Sequence, residues 1–325
     1  MSKPKVVVHS VLVDNPDVES KILSAIDANL VFVPNENTDL FFKEIKDADA
    51  LIIADRKIKP EHVLTLKNCK IIARQGIGVD NIDLINTKEK NIAVTNVPDY
   101  CLDEVSDFAM SLMLSMLRHI PTYDKHVKSN IWDIQSIMTK TGFPEMRRLN
   151  TQTLGIVGFG KIARCVAKKA RAFGFKMLAY DPYITEEVAK EYGATLVDFD
   201  TIIKESDVIT IHSPLTPETK HMFNLDVFKK MKDTAIIVNT SRGPLVNEND
   251  LAVALKDKLI AGAAIDVTEV EPPEVGSPLL ELENLIMTPH AAFFTKDSYA
   301  ELRRRAAEEV VRVLSGKEPE NRVNK

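Results

Sequence analysis

The sequence has little of what commits a chain to a special environment. It holds three cysteines in 325 residues, Cys69, Cys101 and Cys165, odd in number and far apart. That spacing excludes a disulfide framework and leaves three small hydrophobes, buried in a reducing cytoplasm. No His, Cys or carboxylate cluster has metal-ligand spacing, so no metal is expected. The opening "MSKPKVVVHSVLVD" is broken by His9 and Ser10 and stops at Asp14. It is too short and too polar to span a membrane and has no small-residue cleavage site after it, so it reads as a first buried strand. Basic residues are spread along the chain and the net charge is -5. The face that nucleic acid selects is a clustered basic one, so neither nucleic acid nor a membrane is an expected partner. Tandem repeats and low-complexity tracts are missing as well.

What is there is ordinary for a soluble globular protein: 45% apolar and 27% charged residues, with a length suited to two domains. Short β-rich runs alternate with helical patterns. "KVVVHSVLV", "LVFVP", "ALIIAD", "KIIARQG" and "IAVTNVP" form one series, the first four separated by "PDVESKILSAIDA", "TDLFFKEIKDA" and "PEHVLTLKN". A second series follows: "TLGIVGFG", "KMLAYD", "DVITIHSP", "AIIVNT", "IAGAAID" and "LIMTPH". Continuous apolar strands separated by helices imply parallel sheets covered on both faces. Two such series imply an α/β chain of two doubly wound domains. The boundaries are expected near Pro98 and Pro289, giving 1–98 with 290–325 as one domain and 99–289 as the other. After the first boundary, "EVSDFAMSLMLSMLRHI" reads as a long helix ending before Pro121. After the second, "KDSYAELRRRAAEEVVRVLSG" reads as an amphipathic helix with a Gly stop, returning to the first domain. The polar tail "KEPENRVNK" reads as loose.

Gly158-Phe159-Gly160-Lys161-Ile162-Ala163 fits G-x-G-x-x-[GA] between a strand and a helix. Gly158 permits the tight turn, Gly160 lets a pyrophosphate approach the backbone, and Ala163 keeps the helix close to the strand. A second strand ends at Asp181, about 20 residues on, as a dinucleotide site requires. A carboxylate there accepts from both ribose hydroxyls and repels a 2′-phosphate. With Pro182 and Tyr183 following instead of Arg or Lys, NAD is expected over NADP.

Three charged residues stand at or just past expected strand ends, the edge where open α/β folds bind ligands. Arg242 follows "AIIVNTS", Glu271 precedes Pro272 and Pro273, and His290 follows "LIMTP". Reducing a 2-keto acid by hydride needs a proton donor, for which imidazole suits neutral pH. It also needs a carboxylate beside that ring and a guanidinium fork for the substrate carboxylate. Each residue also has a plain reading, as a loop histidine, a solvated acid and a turn arginine. Spacing alone does not bring the three together.

The segments "TLGIVGFGKIA", "HSPLTPET", "VNTSRGPLVNENDLAVAL", "GAAIDVTEVEPP" and "LIMTPHAAF", in this order over nearly the whole chain, resemble the D-isomer-specific 2-hydroxyacid dehydrogenases. The resemblance implies catalytic Arg242, Glu271 and His290 and reversible reduction of a 2-keto acid by NADH. It also implies an NAD-binding domain inserted in a substrate domain, with substrate in the cleft between them. "RQGIGVDNIDL", "ARAFGFKMLAYDPY" and "TPHAAFF" resemble the C-terminal-binding-protein branch. That likeness gives Arg74, with the backbone of Gly76, Ile77 and Gly78, a grip on the substrate carboxylate; the alternative is a structural arginine at a strand end. The family pattern puts Lys161 and Ile162 over the pyrophosphate. It puts His212, Ser213, Pro214 and Thr219 beside the adenosine, Thr240 and Ser241 before Arg242, and Asp266 on the nicotinamide carboxamide. His9, His62, His119, His126 and His221 have no partner pattern. Phe293 stands where the eukaryotic corepressors of that branch have Trp, either opening the substrate pocket or packing in the core. The chain stops soon after its last helix, so serine feedback through an added regulatory domain is not expected.

The family expectation is a cytoplasmic homodimer, with the helix from Glu104 as a candidate interface or as core. Two other readings stay open: a non-enzymatic NAD(H)-responsive binding protein like the corepressors, and formate or phosphite oxidation. Glu271 opposes the formate version, in which the family's partner of His is Gln. The substrate's identity is left open, its side-chain end being assigned to loops around Val79, Tyr100 and "WDIQSIMTKTG".

Overall fold

The computed structural model describes residues 3–10, 15–133, 135 and 146–325. The end of the expected first strand and most of "WDIQSIMTKTG" lie outside the described residues. The chain divides into two compact units, Met1–Tyr100 with Phe294–Lys325, and Cys101–Phe293. The divisions fall two and four residues beyond the sequence boundaries.

In chain order the first stretch runs β1 (Lys5–Ser10), α1 (Asp17–Leu23), β2 (Asn29–Pro34), α2 (Thr38–Glu44), β3 (Ala50–Ile53), α3 (Pro60–Thr65), β4 (Ile71–Arg74), α4 (Leu84–Glu89) and β5 (Ala93–Thr95). The second unit holds α5 (Leu102–Leu117), α6 (Ile120–Lys128), β6 (Thr153–Val157), α7 (Lys161–Ala172), β7 (Lys176–Tyr180), α8 (Glu186–Glu191), β8 (Ala194–Leu196), α9 (Phe199–Glu205), β9 (Val208–Ile211), α10 (Leu225–Phe228), β10 (Ile236–Asn239), α11 (Glu248–Lys256), β11 (Gly262–Ile265) and β12 (Leu285–Met287). The last helix, α12 (Lys296–Leu314), belongs to the first unit.

The first unit is a five-stranded parallel sheet in the order β2-β1-β3-β4-β5. Its strands are continuous apolar runs because both faces are covered; Val6, Val7, Val8 and all of β3 are buried. Helix α12 starts in a capping box between Thr295 and Ser298, which satisfies its first free amides. It stops before Gly316 at φ +79°, and it packs on α1, β3 and β4. The tail after it is anchored, contrary to the expectation from its polarity. Asn324 is buried, accepts from the Val94 amide at 2.9 Å and donates to Ile92 O at 2.8 Å. Arg322 bridges Thr95 antiparallel. A polar side chain that supplies the missing partners of a sheet edge is fixed by hydrogen bonding, which composition does not reveal.

The second unit's sheet is wholly parallel, in the order β12-β11-β10-β9-β6-β7-β8. Alternate residues of each strand enter opposite layers. Leu154, Ile156 and Val238 face a layer with Ala109, Met113 and Val166. Val157, Ile209 and Ile237 face one with Ile202, Phe228 and Leu251. The chain starts in the middle at β6, winds outward to β8, then returns to β9 on the other side of β6. The carboxyl ends of β6 and β9 therefore flank a topological switch point, where loops diverge and leave a crevice.

The helix expected to end before Pro121 does so, at Leu117; His119 then takes a left-handed turn and a separate helix, α6, starts at Ile120, with Pro121 in its first turn. Proline is suited to that place because its missing N–H would have had no helical partner there. Strand β8, only three residues with one buried, had no periodicity to reveal it. Cys69 and Cys101 are buried as expected, but Cys165 is partly open. Burial pushes the Cys69 thiol up to about 12, so it stays protonated. Helix α5 buries Ala109, Met110, Leu112 and Met113 in its own unit, which makes that face core.

Candidate active site

The glycine turn lies at the switch point of the second sheet. Gly158 has φ +83°, and a Cβ there would stand 2.6 Å from Ser213 N, so the turn after β6 presses on the end of β9. Gly160 differs. Its φ is -72° and a Cβ would meet nothing within 4 Å. Neither backbone nor packing requires glycine at that position, so the side chain's absence serves something outside the protein's own packing. Gly160 is also the N-cap of the twelve-residue α7 and makes no side-chain cap bond, which leaves the first-turn amides uncapped by it. Ala163 is fully buried beneath the turn.

The other residues expected at the cofactor border the same edge. The Asp181 carboxylate accepts from Phe159 N at 2.7 Å and from Tyr183 N at 2.8 Å, reaching across to the glycine turn. His212 N donates to Val157 O at 2.7 Å, which ties β9 to β6, and its Nε2 pairs with Thr210 Oγ1 at 2.9 Å. Burial lowers the His212 imidazole to about 4, so it is neutral at physiological pH. Ser241 Oγ donates to Ser213 O at 2.7 Å and Thr219 Oγ1 to Pro214 O at 2.7 Å, closing the loop after β9. Thr240 Oγ1 is buried and has no hydrogen-bond partner among the described residues. A buried hydroxyl left so is costly unless a ligand or water completes it. Lys161 and Ile162 open α7 beside these groups. The open Cβ direction at Gly160 and the unpaired Thr240 hydroxyl fit a dinucleotide.

Arg242, Glu271 and His290 are brought together by three loops at the carboxyl ends of β10, β11 and β12. Arg242 donates through Nη1 to Ser241 O at 2.8 Å. The next residue, Gly243, lies so close to the β11 loop that a Cβ would be 2.0 Å from Thr268 C. Thr268 N in turn donates to Glu271 Oε1 at 3.2 Å, and Glu271 Oε2 lies 2.8 Å from His290 Nδ1. Burial works to raise the Glu271 carboxyl. The hydrogen bond and charge of His290, the Thr268 amide and Arg242 outweigh it and hold that carboxyl below the usual glutamate range. The His290 side chain is 42% exposed, open to a small molecule. Its backbone has φ +54°, the left-handed region that non-glycine residues seldom enter.

Asp266 holds that turn. Its carboxylate, 1% exposed, accepts from Thr288 Oγ1 at 2.5 Å and from the Ala291 and Ala292 amides at 2.9 Å, while His290 N donates to Asp266 O at 2.7 Å. The sequence pointed to Asp266 as a cofactor ligand but not as the anchor of the histidine turn. Nor was a partner expected for His221, whose Nε2 lies 2.9 Å from Glu269 Oε2. Glu269 and Glu248 exchange backbone and side-chain bonds, fastening the loop of Glu271 to α11. These partners lie 21 to 48 residues apart, beyond any local pattern. Phe293 stands edge-on to the His290 ring, centroids 6.2 Å apart.

In the first unit, Arg74 ends β4 and donates through Nη1 to Gln75 O at 2.8 Å. Gly76 follows at φ +149°, and Asn96 Nδ2 donates to Ile77 O at 2.7 Å, bracing the loop that runs on through Gly78. No group of three or more His, Cys, Asp or Glu suited to a metal occurs among the described residues. No described helix is long and apolar enough to cross a membrane.

Known proteins resemble the chain in sequence and in fold. Residues 110–292 match the model of the D-isomer specific 2-hydroxyacid dehydrogenase, NAD binding domain. The chain is 38% identical over 283 residues to the D-3-phosphoglycerate dehydrogenase of Archaeoglobus fulgidus, covering 87% of this chain and 52% of that protein. The chain thus spans about half the length of that relative. It is 36% identical over 287 residues to the glyoxylate reductase of Korarchaeum cryptofilum, covering 88% of this chain and 85% of the relative. The crystal structure of D-lactate dehydrogenase from Aquifex aeolicus complexed with NAD and lactic acid superposes with a TM-score of 0.86 at 29% identity, covering 96% of each chain.

Two outcomes are expected. Gly160→Val leaves thermal stability within a few degrees of wild type but weakens NADH binding by about tenfold or more, the cost of a lost close contact being of the order of 1.4 kcal/mol; equal affinity by titration contradicts the role given to Gly160. The lowered His212 imidazole makes the folded chain bind fewer protons than the unfolded chain between pH 6.5 and about 4. Stability is therefore lost as pH falls through that window, by at most about 3.4 kcal/mol at 1.36 kcal/mol per pH unit. Denaturant melts of His212→Asn should show a shallower fall there, and parallel pH profiles would contradict it.

Proposed function

The chain belongs to the D-isomer specific 2-hydroxyacid dehydrogenase family, and we propose that it interconverts a small 2-keto acid and its D-2-hydroxy acid: keto acid + NADH + H⁺ ⇌ hydroxy acid + NAD⁺. The observation that carries this reading is the 2.8 Å pairing of Glu271 Oε2 with His290 Nδ1, in a loop cluster shared with Arg242.

NADH, when bound, supplies the hydride. Gly158, Gly160, Lys161 and Ile162 hold its pyrophosphate and Asp181 its ribose. His212, Ser213, Pro214 and Thr219 border its adenosine, and Thr240, Ser241 and Asp266 border its nicotinamide end. Arg242 binds the substrate carboxylate and polarises the adjacent carbonyl, in a planar fork a lysine does not offer. Arg74, with the backbone of Gly76, Ile77 and Gly78, adds a second grip on the carboxylate. Because Nδ1 faces Glu271, His290 delivers its proton from Nε2 to the carbonyl oxygen in reduction and recovers it in oxidation. Glu271 fixes the ring's orientation through Nδ1 and so leaves Nε2 for the proton transfer. The Glu271–His290 pair favours this reading over formate oxidation and over an NAD(H)-responsive binding role without chemistry. A homodimer in the cytoplasm is the form proposed for the working enzyme.

His290→Ala should lower kcat for keto-acid reduction by about 10²–10⁴, the usual contribution of a positioned acid–base group, while NADH titration gives wild-type affinity. Turnover within twofold of wild type would remove His290 from the proton-transfer role.

A further inference from the structure

The first unit contains a buried ion pair that the chemistry above does not use. Arg303 of α12 and Glu19 of α1 lie 284 residues apart, with side chains 7% and 1% exposed. Arg303 Nη2 meets Glu19 Oε2 at 2.6 Å and its Nε meets Glu19 Oε1 at 3.0 Å. Arg303 Nη2 also reaches Asp17 Oδ1 at 2.8 Å and Asn15 O at 3.1 Å. Removing two charges from water is expensive, and a well-packed apolar pair commonly serves stability as well. The pair therefore calls for a reason other than stability.

The reason lies in what else Glu19 touches. Gln75 Nε2 donates to Glu19 Oε1 at 2.9 Å, and the Gln75 side chain is itself buried. The backbone carbonyl of the same Gln75 receives the guanidinium of Arg74 through Nη1 at 2.8 Å. That guanidinium folds across Gly76 so closely that a Cβ there would lie 0.9 Å from Nη1. Gln75 thus has its side chain fixed from below by the ion pair while its carbonyl holds Arg74. A continuous path runs from Arg303 through Glu19 and Gln75 to Arg74. An apolar pair would fill the same volume but offer Gln75 no acceptor.

We propose that Gln75 is a positioning residue, and that the Glu19–Arg303 pair acts through it to hold the Arg74 guanidinium and the Gly76–Gly78 backbone in substrate-binding geometry. The proposal rests on the carboxylate role given to Arg74 above. Its effect belongs in keto-acid affinity and not in hydride transfer.

The test compares wild type, Gln75→Met, the double variant Glu19→Met/Arg303→Met and the triple variant, all as full chains. Gln75→Met should raise KM for the keto acid about tenfold, equivalent to about 1.4 kcal/mol, with kcat and KM for NADH within about threefold. The double variant should raise KM similarly, and the triple no further, because the effects share one path. Amide hydrogen exchange at Gly76 and Ile77 should quicken in all three. A fall in melting temperature with keto-acid KM and loop exchange unchanged would reduce the network to a structural strut and overturn the proposal. If wild type reduces no keto acid, the proposed function fails, and the exchange measurement still decides whether the network holds the loop.

Discussion

One buried carboxylate sets the geometry of the candidate active site. Asp266 accepts three hydrogen bonds from Thr288, Ala291 and Ala292, and its carbonyl receives the His290 amide. These bonds clamp the turn between β12 and the end of the second unit from both sides of His290. They hold that residue at φ +54°, a conformation costing about 1–2 kcal/mol for a residue with a Cβ. Bonds to a charged acceptor contribute about 1.5–3 kcal/mol each, so three of them outweigh the strain. The clamp decides where Nδ1 lies, and hence that Glu271 meets it at 2.8 Å. Glu271 is located in turn by the contact of Gly243 with Thr268 and by the Glu248–Glu269 exchange.

The cofactor edge follows from winding. A sheet that starts at β6, runs outward and returns at β9 parts its loops between those two strands. The glycine turn and the His212–Ser213 loop occupy that parting. The neutral His212, the loop closed by Thr219 and the N-terminus of α7 border it. Such a border suits an anionic dinucleotide better than a cation.

Much of this was legible in the sequence, for identifiable reasons. The inner strands could be read because both faces of each sheet are covered there, which turns them into apolar runs such as Val6–Val8 or Ala50–Ile53. The turn at Gly158 could be read because its chemistry is local, contained in six residues. Arg242, Glu271 and His290 could be named only singly from their positions, and the family resemblance grouped them. What was hidden is what tertiary pairing creates. Asn324 closes a sheet edge 230 residues away, His221 finds Glu269 across 48 residues, and Arg303 finds Glu19 across 284. No periodicity or spacing encodes such pairs. Strand β8 was lost for the opposite reason, being too short and too exposed to carry a pattern.

The central claim is that this constellation performs hydride transfer on a 2-keto acid. The most direct measurement is the loss of NADH absorbance with purified protein and a panel of small, branched, aromatic and phosphorylated 2-keto acids. The account predicts catalytic oxidation of NADH with one class, giving the D-2-hydroxy acid as product. Demonstrated NADH binding with no oxidation by any member of the panel would contradict it.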